Sequence, residues 1–191
     1  MFVRSINRRP RKWPWGHDAP VFNFGIEGYR PNWGNGLADA MTHAARMRAL
    51  VGRQLTDAWL VWDLEDDEWW AGCPVLLDFD GEQIEINHHK FDDLSITWNT
   101  ADPTKPVDWG PPDNFPLAWR NTARADLSAL RGRAVDAVEF LVWTGGDLAN
   151  GSIALAFTFG PDRLCVFNAL DENGLAVGAL EPEWQPIPLS T

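Results

Sequence analysis

The sequence lacks any run near the ~18 consecutive apolar residues of a membrane-spanning helix, and it is poor in cysteine, with two in 191 residues. The first absence argues against a membrane partner and for a soluble chain. The second argues against a disulfide scaffold. Cys73 and Cys165 have no pairing motif and no companions spaced for zinc, so both read as free core thiols of a reducing compartment, although spacing alone leaves a bridge between them open. Also missing are the glycine-rich phosphate loop with its lysine, the dinucleotide fingerprint, the paired zinc histidines of a helix, and the small-residue elbow around a nucleophilic serine. No cofactor and no metal site is therefore expected. Residues 1–12 are basic but run into Trp13-Pro14-Trp15-Gly16 instead of an apolar stretch with a cleavage site, so no signal peptide is expected and the cytoplasm is the expected location.

Positive charge is scarce too: 16 Lys and Arg stand against 27 Asp and Glu, a net charge of −11. Five of the cations, Arg4, Arg8, Arg9, Arg11 and Lys12, lie in the first twelve residues with no acid, which leaves −16 for the rest (−11 minus +5). Residues 13–49 are balanced, so the deficit falls in residues 50–191. Such a body repels nucleic acid and anionic membranes and attracts basic partners. The twelve tryptophans do not read as a nucleic-acid stacking platform, which would want a basic surround.

A pattern recurs in what is present. Leu50-Val51-Gly52-Arg53 precedes the apolar run Ala58–Trp62, and Leu130-Arg131-Gly132-Arg133 precedes Val138–Trp143. Each is followed by an alternating hairpin with a glycine turn, Val75–Phe79 into Ile84–Asn87 and Ile153–Phe159 into Leu164–Asn168. An acidic turn and a last short strand close each half, at Leu94–Trp98 and Leu175–Val177. A helix is expected over Leu37–Leu50, capped by Asn35, and a shorter one from Asn121 or Thr122 to Gly132. The glycines read as left-handed helix ends, with Arg53 and Arg133 complementing the helix dipoles. The expected fold class is α+β: two tandem helix-plus-antiparallel-meander repeats forming one compact, mainly antiparallel β body with few helices. Its parts are a basic tail and Trp/Pro/Gly-rich arm (1–34), a first repeat (35–98), a Pro-rich linker (99–120) and a second repeat (121–191).

Candidate chemistry is thin. His88-His89 with Asp92 and Asp93 reads as exposed turn residues, since neighbours on a strand point to opposite faces and four ligands do not converge. The acidic run Asp63, Glu65, Asp66, Asp67 and Glu68 reads as a solvated loop and not as an acid–base pair. Its neighbours Trp69 and Trp70 place apolar area beside that charge, while the corresponding stretch Thr144–Gly151 is small and nearly uncharged. An aromatic inside an acidic rim is how a protein anchors a basic partner, so these seven residues form the candidate partner-binding site; the competing reading folds a tryptophan inward as core. Two further readings stand beside it. One is a hydrolase or small-ligand protein with a cleft between the repeats, using Arg53, Arg133, His88 and Asp92. The other is an assembly subunit, in which homo-oligomers form through the basic tail and exposed tryptophans.

Across residues 50–98, the Leu-x-Gly-Arg turn, the strand to Trp62, Asp67-Glu68-Trp69-Trp70 and Pro74-Val75-Leu76-Leu77-Asp78-Phe79-Asp80-Gly81 resemble small actinobacterial proteins of the immunity type found with polymorphic toxin systems. The resemblance implies a cytoplasmic protein that blocks a cognate toxin, such as a cationic nuclease, by covering its active site. It implies no catalytic residue.

Overall fold

The computed structural model describes residues 24–109, 115–187 and 189. The basic tail, His17-Asp18 and the prolines Pro111 and Pro112 of the expected linker lie outside the described residues. Glycine turns and alternation produce two antiparallel sheets. In the first, strands β1 (Trp33–Asn35), β2 (Leu55–Asp63), β3 (Glu68–Trp69), β4 (Val75–Phe79), β5 (Glu82–His89) and β6 (Asp93–Trp98) take the order β1-β6-β5-β4-β2-β3, and β7 (Leu117–Arg120) pairs with β2. In the second, β8 (Ala137–Trp143), β9 (Ile153–Phe159), β10 (Asp162–Asn168), β11 (Asn173–Val177) and β12 (Trp184–Ile187) take the order β11-β10-β9-β8-β12. Three short helices complete the body: α1 (Gly36–Met41), α2 (Ala44–Arg48) and α3 (Ala125–Ser128). The fold is thus mainly antiparallel β with few helices.

Alternation along the strands sorts side chains into three apolar layers. Val75, Leu77 and Phe79 of β4 and Ile84 and Ile86 of β5 share the main core with Leu155, Phe157 and Phe159 of β9, and the rings of Phe79 and Phe157 stack at 5.3 Å. Leu76, one residue out of phase, belongs to a second cluster with Phe24, Ile26, Tyr29, Val61, Cys73 and Val107. On the second sheet the out-of-phase residues Ala154, Ala156 and Cys165 are small and are covered by Leu180 and Trp184. The first sheet is therefore buried on both faces by large groups.

Polar residues hold that outer cover down. Glu85 is fully buried, and its carboxylate accepts Gln83 Nε2 (2.9 Å), Thr100 N (2.6 Å), Ala101 N (3.2 Å) and Thr100 Oγ1 (3.1 Å). Four donors satisfy the charge where water cannot. The arm is tied by a bridge between Ile26 and Val107, and Gly25, at φ +64°, lets Asp108 come so close that a Cβ would lie 1.6 Å from its carbonyl oxygen.

Local expectations needed correction where tertiary groups compete for the backbone. The helix expected over Leu37–Leu50 is broken in two. Thr42 N and His43 N take the tighter i−3 carbonyls of Asp39 and Ala40, Thr42 Oγ1 also binds Asp39 O, and Trp98 Nε1 donates to His43 Nδ1 (3.2 Å). The Asn35 side chain makes no cap bond; its own N–H donates instead to Asp39 Oδ2 at 2.6 Å. In the second half, helix begins only at Ala125, and the end of the expected linker, Leu117–Arg120, is β7, paired to Leu60–Asp63. Strand β12 lies where no strand is expected; it pairs with β8 at the sheet edge, where the N–H missing from Pro186 is tolerated.

Gly52 and Gly132 do adopt left-handed backbone, at φ +86° and +78°. Arg53 and Arg133, however, do not serve helix ends: their guanidinium groups donate to the last carbonyls of β4 and β9, Phe79 O and Phe159 O, and Arg133 also pairs with Asp162 at 2.6 Å. The two turns meet each other. Gly52 N donates to Val135 O and Gly132 N to Leu55 O (both 2.8 Å), while Leu55 N donates to Arg133 O and Val135 N to Arg53 O (both 2.9 Å).

Candidate functional site

The acidic run begins inside the fold. Asp63 ends β2 at 1% exposure, and its carboxylate accepts the backbone N–H groups of Glu65 (2.9 Å) and Asp66 (3.4 Å), which shapes the turn. Asp63 is thereby removed from any contact surface. Asp67 takes left-handed backbone (φ 51°), and its Oδ1 accepts Trp62 Nε1 and Arg120 Nη1, both at 2.9 Å. The Trp62 hydrogen bond first, then the Arg120 guanidinium, hold the Asp67 carboxyl below the usual range. Arg120 also lies over the Trp62 ring at 5.5 Å.

What the turn presents to solvent is Leu64, Glu65, Asp66 and Asp67, with Glu68 half-buried in β3. Its two expected aromatic anchors are turned inward. Trp69 packs against the main core, and Trp70 sits with Trp109 (5.3 Å) and Phe115 (4.8 Å) beneath the outer cover. The apolar element of the surface is Leu64, at 46% exposure.

The turn between β8 and β9 uses the same device. Trp143 Nε1 donates to Asp147 Oδ1 (2.8 Å), which also accepts Ala149 N (2.9 Å). A sequence signal for this existed, an aspartate four or five residues after the last tryptophan of a strand, but charge content masked it. The exposed tip here is Leu148.

Antiparallel registers put further turns at this same end. His89 pairs with Asp93 across the β5–β6 turn, and Asn168 with Asn173 across the β10–β11 turn, while the β4–β5 and β9–β10 turns lie at the other end. Among the described residues, the large apolar side chains that stand exposed are Trp33, Val51, Leu64, Phe91, Leu148 and Leu170. The last four occupy the four turns of this one end, each beside an acid: Glu65, Asp92, Asp147 and Asp171.

Beneath these turns Asn173 joins the two sheets. Its Nδ2 donates to Ala71 O, Cys73 O and Asn87 Oδ1 (2.8–2.9 Å), and its Oδ1 accepts His88 N at 2.8 Å. The expectation that His88 is an exposed turn residue is overturned: it is 2% exposed, with Nδ1 3.1 Å from Asn173 Oδ1 and Nε2 3.1 Å from Ile153 O. Burial drives its pKa down to about 4, against the two hydrogen bonds, so the ring is neutral and donates to one oxygen at a time. His89, on the opposite face, is exposed and lies against Trp33 at 5.6 Å.

Of the residues of the enzymatic reading, Arg53 and Arg133 share adjoining turns, but His88 is held far from Arg53. Arg53 lies by Phe79, which pairs with Glu82, and His88 is six residues along β5 from there, roughly 20 Å at ~3.3 Å per residue. His88 is buried while Asp92 is exposed. Cys73 and Cys165 are both free and buried, and burial raises both thiols, Cys165 to about 12. Among the described residues no three His, Cys, Asp or Glu are grouped to hold a metal, and no helix is long and apolar enough to cross a membrane. A cavity of about 270 Å³ lies between α1 and β6, with Trp33, Asp39, Thr42 and His43 in its wall. Its carboxylate is engaged by Asn35 N and its imidazole by Trp98.

No family model matches the chain, and no curated protein or solved structure is detectably similar to it.

Proposed function

We propose that this chain is a non-enzymatic protein-binding module of the immunity type, built as a tandem of two helix-plus-meander units, which neutralises a cognate toxin in the cytoplasm. The observation that carries the binding reading is the end of the body where exposed apolar tips stand beside carboxylates on four turns. Apolar tips supply contact area that excludes water, and the exposed carboxylates beside them steer a basic partner and fix its orientation. Glu65 and Asp66, with Leu64, are the direct contacts in the first turn. Asp67 is held by Trp62 and Arg120, and Asp63, Glu68, Trp69 and Trp70 act as its frame.

Support for the tandem comes from the equivalent strand orders β6-β5-β4-β2 and β11-β10-β9-β8 and from the reciprocal bonds of the Gly52 and Gly132 turns. The binding test is capture from the native host, identification of the protein captured, and calorimetry with the purified pair. Glu65→Lys with Asp66→Lys is expected to weaken binding at least tenfold, equivalent to about 1.4 kcal/mol, and more at low salt. Unchanged affinity in that double variant removes the site. A captured enzyme whose activity is untouched by stoichiometric binding removes the immunity role.

A further inference from the structure

Two of the four turns are fastened together. Asn168, itself buried, donates through Nδ2 to Lys90 O at 2.5 Å and accepts Asp171 N through Oδ1 at 3.2 Å, so one side chain sets both the β5–β6 and the β10–β11 turn. Ala169 N to Glu172 O (2.8 Å) closes the second turn further. At their tips Phe91 is 52% and Leu170 58% exposed. The surface is thus preformed, which lowers the ordering cost of an encounter.

The backbone adds a second observation. Leu170 and Asp171 both adopt left-handed conformation, at φ 64° and 76°, and so does Lys90 at 51°. Glycine or asparagine would suit position 170 better, and burial offers no reason for a leucine there, because its side chain faces water. A strained backbone that displays an apolar side chain points to a contact made outside the chain.

Charge selects the kind of partner. Asp92 and Asp171 are exposed beside the two tips, and Lys90, the one cation of these turns, is taken by Asp93 at 3.4 Å. The same patch of a second copy would set like charges against each other, and an anionic membrane would be repelled as well. We infer that the joined turns, with Phe91 and Leu170 at their tips, form a contact patch for a protein segment that presents apolar side chains flanked by lysine or arginine. The inference rests on the protein-binding reading above but names a separate patch from the Glu65-Asp66 turn.

The test uses the full chain and a synthetic amphipathic peptide of leucine and lysine, roughly 18 residues long so that it forms a helix with one apolar face. The same peptide with glutamate for lysine, and polylysine of equal length, serve as comparisons. Saturable binding of the Leu/Lys peptide is expected, with amide shift changes largest at 90–92 and 169–172. Phe91→Asp with Leu170→Asn is expected to weaken it by about tenfold or more, the range of a lost hot spot. Leu170→Asn alone relieves the backbone, so it remains a folded probe if the double variant melts early. Equal binding of polylysine, shifts confined to 64–68, or unchanged affinity in the folded Leu170→Asn chain would overturn the patch. Loss of peptide binding in Glu65→Lys/Asp66→Lys alone would overturn it too, while leaving the Proposed function standing. A dimer in sedimentation that Phe91→Asp dissolves makes the occupant a second copy, which also ends the inference.

Discussion

The turns after Trp62 and Trp143 share a clasp and differ in what they show to solvent. In both, a strand-end indole donates to an aspartate within the turn, at 2.9 Å to Asp67 and 2.8 Å to Asp147. The first then presents Glu65 and Asp66 around Leu64; the second presents Leu148 among glycines, with Asp147 its one acid. The same difference runs through the two sheets, one covered on its outer face by Tyr29, Val107 and Trp70, the other by a thin layer over alanines. A common side-chain clasp thus leaves surface chemistry free to vary.

The two halves can be set against each other most sharply at the first residues of β6 and β11. Asn173 is buried and satisfies four partners across the sheets, whereas Asp93, with its side chain 17% exposed, pairs among the described residues with Lys90 and Asn35. Asn173→Ala should cost about 3 kcal/mol or more, because it takes the Asn173 partner from Cys73 O, Asn87 Oδ1 and His88 N in a buried setting, while Ala71 O keeps the backbone N–H of residue 173. Asp93→Ala should cost about 0.5 kcal/mol. Urea denaturation of the pair checks this; equal losses would mean that Asn173 is not the inter-sheet hub.

His88 provides the next largest effect. Its folded pKa, about 4, lies below the ordinary value of 6.5, so between these the unfolded chain binds the proton and the folded one does not. Stability contributed by the neutral ring is therefore complete above pH 6.5 and declines as the pH falls to about 4, by up to about 3 kcal/mol in all. Melts of the wild type and of His88→Asn across that window should converge toward the acid end. A parallel pair of curves would refute it.

Gly52 and Gly132 sit at matching φ with open space where a Cβ would go, so replacing either by alanine should cost about 1 kcal/mol, nearly equally, through backbone strain alone. A twofold difference between them would break the symmetry proposed for the two turns. Smallest of all, Glu65→Lys with Asp66→Lys should change stability by about 0.5 kcal/mol or less, since neither side chain is buried. Its effect belongs to binding.

Much of this was readable in the residues. The hairpins at Val75–Phe79 and Ile153–Phe159 followed from alternation and Asp-Gly or Gly-Pro turns, and Gly52 and Gly132 were placed as left-handed ends. The periodicity over Leu37–Leu50 is apolar enough for one helix, but Thr42 and His43 take tighter local bonds and the distant Trp98 binds His43, which breaks it. His88 was misjudged because a His-His-Lys-Phe-Asp-Asp string looks solvated until Asn173, 85 residues away, is brought over it.

The sequence by itself determined the two central hairpins, their glycine turns and the acidity of the body, because alternation, glycine placement and charge are local or additive properties. Only tertiary structure decided which groups of the acidic run face solvent. Trp70 is covered by Trp109 and Phe115, and Asp63 is consumed by its own turn, so the large apolar groups exposed on the turns of that end, among the described residues, are Leu64, Phe91, Leu148 and Leu170 instead. Burial of a large side chain depends on segments distant in the chain arriving at the same place, and no local pattern records their arrival.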